Sequence, residues 1–131
     1  MGEPQALTDL QFAILRVLWD RGSATAAEIT DTLRASRGLA QQTIATILTR
    51  LEKRGIVQHE VRQRQYLFRA IVSEPDVRNT MLTDLTDRVF EGDVAALVSQ
   101  LLSAREMSAG DLARVKALIA THEATRGSSH D

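Results

Sequence analysis

The 131-residue chain has no cysteine, which excludes disulfides, thiolate metal sites and cysteine nucleophiles and fits a reducing compartment. Aromatic residues make up only 4% of the chain, so aliphatic side chains must build the core, and a mainly helical protein is expected. Long apolar runs are missing too. Residues 94–98, "VAALV", form one of the longest, far short of the ~20 residues that a membrane-spanning helix requires. The opening "MGEPQALTDL" lacks the basic-then-apolar order of a secretion signal, so a cytoplasmic protein without membrane insertion is expected.

Catalytic signatures are equally scarce. No glycine-rich phosphate loop and no nucleophile elbow is present. His59, His122 and His130 do not pair with one another at i+3 or i+4, and no acidic residue completes a metal-ligand spacing. They read as surface histidines, with neither metal nor cofactor expected. Asp84 and Asp87 share a helix with Arg88 beside them, which suits a solvated face better than acid–base chemistry. The chain therefore reads as a non-enzyme.

What is present is charge sorted by segment. The net charge is only −1, but residues 1–71 hold ten Lys/Arg against seven Asp/Glu, and residues 72–131 hold six against ten. Within 50–69, Arg50, Lys53, Arg54, Arg62, Arg64 and Arg69 face only Glu52 and Glu60. Such a cluster in a near-neutral chain is the pattern of a local electrostatic footprint.

Helix starts are marked by one repeated device, a hydroxyl N-cap flanked by apolar residues at N′ and N4. Leu7-Thr8-x-x-Gln11-Phe12 opens a helix running to about Arg21, and Ala24-Thr25-x-x-Glu28-Ile29 opens one ending near Ser36 and Gly38. Val72-Ser73-x-x-Asp76-Val77 and Met107-Ser108-x-x-Asp111-Leu112 open two more, with Asp at N3 making a weaker box than Glu. Further helices are predicted at about 40–54, stopped by Gly55, and about 93–103, after Gly92. Residues 56–71, "IVQHEVRQRQYLFRAI", carry β-prone residues around a polar "RQRQ" and predict a two-stranded hairpin whose turn no glycine marks. The order is three helices, a hairpin and three helices. The predicted architecture is a winged helix-turn-helix domain over 1–72, a helical dimerisation domain over 73–125 and a flexible tail over 126–131.

The stretch 39–60, "LAQQTIATILTRLEKRGIVQHE", carries the functional signal. On a helix, Ile44, Ile47, Leu48 and Leu51 form an apolar stripe that packs on the two preceding helices. Gln42, Thr43, Thr46, Thr49 and Arg50 project from the other side, and Lys53 and Arg54 follow. A third helix in this arrangement enters the major groove N-terminus first. Gln41, Gln42, Thr43 and Thr46 then reach base edges or nearby phosphates: glutamine bonds adenine bidentately, and threonine offers a hydroxyl and a methyl. The cations behind them, and Arg62 and Arg64 at the wing tip, meet phosphate. Ala40 stands where the other helices carry Ser or Thr, which leaves orphan amides for a DNA phosphate. A Gln/Thr helix face is ordinarily just solvated. The conjunction of topology, polar helix front and basic wing is what points to DNA.

Three blocks, "LTDLQFAILRVLWDRGSATAAEI", "LAQQTIATILTRLEKRGIV" and "RQYLFRAIVS", follow one another over a chain that, across roughly 7–125, resembles the penicillinase-repressor family of winged-helix regulators, the beta-lactamase and methicillin-resistance repressors. Trp19 in "VLW" and the pattern from Thr43 to Gly55 are the most telling. The resemblance implies a homodimer that represses transcription from a palindromic double-stranded DNA operator. Two departures matter. Gln41-Gln42 stand where the family commonly has an aromatic or serine followed by threonine, so the operator sequence does not carry over. The paired cysteines of the copper-responsive branch are missing, which excludes copper sensing by that route.

The acidic half carries three apolar stripes. Val77, Met81, Leu82, Leu85 and Val89 line the first; Val94, Leu97, Val98, Leu101 and Leu102 the second; Leu112, Val115, Leu118 and Ile119 the third. So small a unit closes a poor core alone, and a second copy across a two-fold axis would complete it. The resemblance further implies control by a membrane sensor-protease system, with cleavage matching the Gln100–Leu101 bond inside the second stripe. Two other readings stay open: a winged-helix protein-interaction module, and a ligand-sensing regulator. The latter requires a cavity between the halves, whereas Phe12, Trp19, Tyr66, Phe68 and Phe90 read as core filler.

Overall fold

The computed structural model describes residues 7–104 and 107–128. Its elements are α1 (Asp9–Arg21), α2 (Ala26–Arg37), α3 (Gln41–Lys53), β1 (Val57–Arg62), β2 (Gln65–Ala70), α4 (Glu74–Phe90), α5 (Val94–Ala104) and α6 (Ala109–Ser128). The fold is mainly helical with one antiparallel hairpin, as the spacing predicts.

The helix starts form by the expected chemistry. Thr8 accepts the Gln11 N–H at 3.1 Å while Gln11 accepts the Thr8 N–H at 3.0 Å, and Thr25 and Glu28 make the same reciprocal box. The Thr25 N–H donated to the Glu28 carboxylate, with Arg21 nearby, holds that carboxyl below its usual range. An N3 aspartate is one methylene shorter. Ser73 caps Asp76 without a return bond, and Asp111 reaches back to the Ser108 N–H only at 3.4 Å.

Ile14, Leu15, Leu18, Ile29, Ile44, Leu48, Leu51, Ile56 and Val57 are completely buried and knit α1, α2, α3 and the start of β1 together. The hairpin hangs from this core by a pairing that periodicity could not foresee. Ala24, in the α1–α2 loop, exchanges both backbone hydrogen bonds with Phe68 of β2, at 2.9 and 2.8 Å. A one-residue strand leaves no pattern in sequence.

Register pairs Arg62 with Gln65, so Gln63 and Arg64 alone make the turn, at φ 50° and 67°. Two positive φ values define the primed hairpin turn whose twist matches the strands. Glycine or asparagine is the usual solution there. A glutamine and an arginine each carry a penalty on the order of 1 kcal/mol.

The acidic half departs from its expected boundaries. Val77 is fully buried and Met81 packs on the first core, while the Trp19 Nε1–H donates to the Val72 carbonyl at 3.0 Å. The first turns of α4 thus complete the core of residues 7–72, and its single stripe divides: Leu82, Leu85 and Val89 remain exposed. Leu97 is buried within the protomer, whereas Val94, Val98, Leu101, Leu102, Leu112, Leu118 and Ile119 are exposed and Val115 is half-buried. Helix α6 continues through Arg126 and Gly127 to Ser128, where a flexible tail is predicted; Thr121 and Thr125 hydroxyls donate to carbonyls one turn back along it. Residues 129–131 of that tail lie outside the described residues. No helix among the described residues is long and apolar enough to cross a membrane.

Candidate nucleic-acid interface

Helix α3 presents its two chemistries on opposite sides. Ile44, Leu48 and Leu51 face the core, and Gln41, Gln42, Thr43, Thr46, Thr49, Arg50 and Lys53 are all exposed. Arg54, the C-cap residue, is half-buried. The Thr46 and Thr49 hydroxyls donate to the carbonyls of Gln42 and Ala45, both at 3.0 Å. Their protons are thereby engaged, which leaves a methyl group and an acceptor oxygen for an approaching ligand. Ala40 offers no side-chain cap, and the Thr43 N–H turns back to the Ala40 carbonyl at 3.1 Å.

The cations of this face are weakly held. Arg21, Arg34, Arg78 and Arg88 are each answered by an acid at 2.7–3.0 Å. By contrast, Arg50, Lys53, Arg54 and Arg64 make no ion pair among the described residues, and Arg62 meets Glu60 only at 3.9 Å, both side chains exposed. Arg64 sits in the turn itself, at the wing's outermost point. These cations run from the back of α3 to the wing tip; Arg16, Arg37 and Arg69 likewise make no ion pair among the described residues.

A joint between helix and wing went unnoticed at the level of sequence. His59 Nδ1 lies 2.7 and 2.8 Å from the two carboxylate oxygens of Glu52, and its ring stacks on Tyr66 at 3.9 Å with 12° between planes. His59 is therefore half-buried and partnered, not a simple surface histidine, and Tyr66 is exposed instead of filling the core. The spacing of Glu52 and His59 carries no motif, because the strand that aligns them begins between the two. Breaking the joint with His59→Ala is expected to cost about 1 kcal/mol of stability, since the pair is partly solvated. The freed wing should weaken binding to all duplexes alike. Urea denaturation and fluorescence anisotropy measure the two effects separately, and an unchanged affinity would remove the joint's role.

No group of three or more His, Asp or Glu among the described residues could hold a metal. The arrangement offers recognition rather than reaction chemistry: uncharged donors and acceptors on an exposed helix face, backed by loosely partnered cations.

Comparison with known proteins supplies the family. The family model "Penicillinase repressor" matches residues 7–121. The methicillin resistance regulatory protein MecI of Mammaliicoccus sciuri is 19% identical over 113 residues, covering 86% of this chain and 92% of that protein. The penicillinase repressor of Bacillus licheniformis is 20% identical over 117 residues, covering 89% and 91%. Among solved structures, the DNA-binding domain of the repressor BlaI superposes with a TM-score of 0.51 at 25% identity, over 58% of this chain and 93% of that one. The structure of hsRosR-S4 shares the fold over 94% of this chain and 95% of its own, with a TM-score of 0.53 at 19% identity. This chain belongs to the penicillinase repressor family and is a non-enzymatic, DNA-binding transcriptional repressor.

Proposed function

We propose that the repressor binds a palindromic operator as a homodimer, with α3 of each protomer in the major groove and the hairpin as a wing on the flanking backbone. The observation that carries this reading is the exposed face of α3, with uncharged hydrogen-bonding side chains in front and cations behind them. Gln41, Gln42, Thr43 and Thr46 read base edges; Thr49, Arg50, Lys53, Arg54, Arg62 and Arg64 contact phosphate. A phosphate at the N-terminus of α3 takes the place of the missing side-chain cap beside Ala40.

Two substitutions separate reading from holding. Gln42→Ala is expected to change preference at one operator position by roughly 1–3 kcal/mol. Arg64→Gly should weaken every duplex alike while relieving the left-handed turn, so that stability rises by up to about 1 kcal/mol as affinity falls. Anisotropy on operator and scrambled duplexes, with thermal melts alongside, distinguishes them. If both variants act identically on specific and random DNA, the base-reading assignment is wrong.

The dimer forms through the apolar faces that α4, α5 and α6 leave uncovered: Leu82, Leu85, Val89, Val94, Val98, Leu101, Leu102, Leu112 and Ile119, with Val115 at the margin. So many large apolar side chains left exposed on three successive helices call for a covering surface, which supports the reading. Release follows the resemblance, through a membrane sensor-protease system that leads to cleavage at Gln100–Leu101. Both residues are exposed, but the bond lies inside helix α5, so that helix must unwind locally before a protease can take the backbone. A repressor band that stays intact after induction in the native cell would remove this route.

A further inference from the structure

The cavity that a ligand-sensing regulator requires between its halves is present. An open groove of about 950 Å³ runs between α1, α2 and α4, near the upper end of the size range of small-molecule sites. Its wall is mostly apolar, with Phe12, Leu33, Met81 and Leu85 from three different helices. Phe12, read as core filler, is only half-buried and lies on this wall.

The charged rim selects the occupant. Arg16 makes no ion pair with Asp20, its neighbour one turn on, and lies over the Phe12 ring with its guanidinium carbon 5.2 Å from the centroid. Neither Arg16 nor Arg37 makes an ion pair among the described residues, whereas Arg78 on the same rim is satisfied by Glu74 at 2.7 Å. The two lining acids, Asp9 and Asp20, stand near opposite ends of α1, about 16 Å apart along the helix axis. A second copy's α5 is poorly suited to the groove: it contains no charged residue and would leave both guanidinium groups unanswered.

We propose that this groove binds a small amphipathic carboxylate, with its apolar body along Phe12, Leu33 and Met81, beside the edge that Leu85 gives to the dimer, and its anionic head between Arg16 and Arg37. Because the ligand would touch α1 and α2 on one side and α4 on the other, it couples the DNA-binding core to the helix that leads into the exposed apolar faces. That consequence rests on the DNA reading; the binding itself does not.

The test uses the full chain without DNA, titrated with decanoate and with 1-naphthoate, and with 1-decanol as the uncharged control. Calorimetry and amide chemical shifts are expected to show saturable binding centred on Phe12, Leu33 and Met81. The double substitution Arg16→Gln/Arg37→Gln should weaken it roughly tenfold or more, the scale of a lost charge-assisted hydrogen bond, with only a small change in thermal unfolding, since both side chains are exposed and lose no more than the Phe12 contact and a helix-end charge. The proposal is overturned by absence of saturation with either acid, by equal binding of decanol, or by binding to anionic-lipid vesicles alone. Intermolecular contacts that fill the groove in the free dimer would also overturn it. Operator binding measured without carboxylate tests the DNA reading independently, so the two failures are distinguishable.

Discussion

Operator affinity is expected to fall by roughly 10³–10⁵-fold as monovalent salt rises from about 50 to about 200 mM. Each copy carries Arg50, Lys53 and Arg54 at the end of α3 and Arg62 and Arg64 at the wing tip, and all but Arg62 make no ion pair among the described residues. A dimer therefore offers about ten cations, and each phosphate neutralised contributes about −0.9 to the log–log slope. Arg62 contributes less where Glu60 competes for it, and the half-buried Arg54 reaches less freely, so a slope somewhat shallower than the full set would give is expected. The net charge of −1 does not oppose this, because screening limits the acidic helices to a range of ~10 Å at ordinary salt. Anisotropy titrations across salt concentrations measure the slope. A flat dependence would instead support the protein-interaction module.

Leu101→Asp is expected to yield a monomer at micromolar concentration by light scattering. Affinity for the full operator should fall by roughly 10²–10⁴-fold, the gain that joining two binding modules ordinarily supplies. Binding to an isolated half-operator should be unchanged. Leu101 is 55% exposed in the protomer, so an aspartate there disturbs little of the chain's own packing. Its cost falls on the surface between copies, where it would bury an unpaired carboxylate. Leu97→Ala is the informative control. Leu97 is 9% exposed, and removing it should destabilise the protomer itself by about 2–5 kcal/mol. If Leu101→Asp leaves the dimer intact, the interface lies elsewhere.

These two predictions draw on features of different legibility. The α3 face follows from periodicity, because an amphipathic helix advertises both sides at a fixed spacing. The capping boxes are equally local: Thr8 with Gln11 and Thr25 with Glu28 meet within one helical turn, and the bonds form as their order predicts. The hairpin was legible from its β-prone residues, although its strained turn at Gln63 and Arg64 lacks the usual glycine signal. Less accessible were the contacts made across the chain. Glu52 and His59 meet only because α3 ends where β1 can fold back along it, and Ala24 pairs with Phe68 across the width of the domain. The stripe on α4 looked uniform, yet Val77 and Met81 turn to one core while Leu82 and Leu85 stay uncovered. A helix's apolar positions identify a face to be buried without naming what buries it.

Residue order by itself determined the element sequence, the helix ends, the polar and basic surface of α3 and the absence of thiol chemistry. Each depends on interactions within a turn or two, where spacing dictates geometry. Tertiary structure alone decided how far the first core reaches into α4, how the wing is clasped to α3, which apolar side chains remain open, and that a groove separates α1 and α2 from α4. Those outcomes turn on how rigid elements pack in three dimensions, and packing joins residues whose separation along the chain carries no periodic signal.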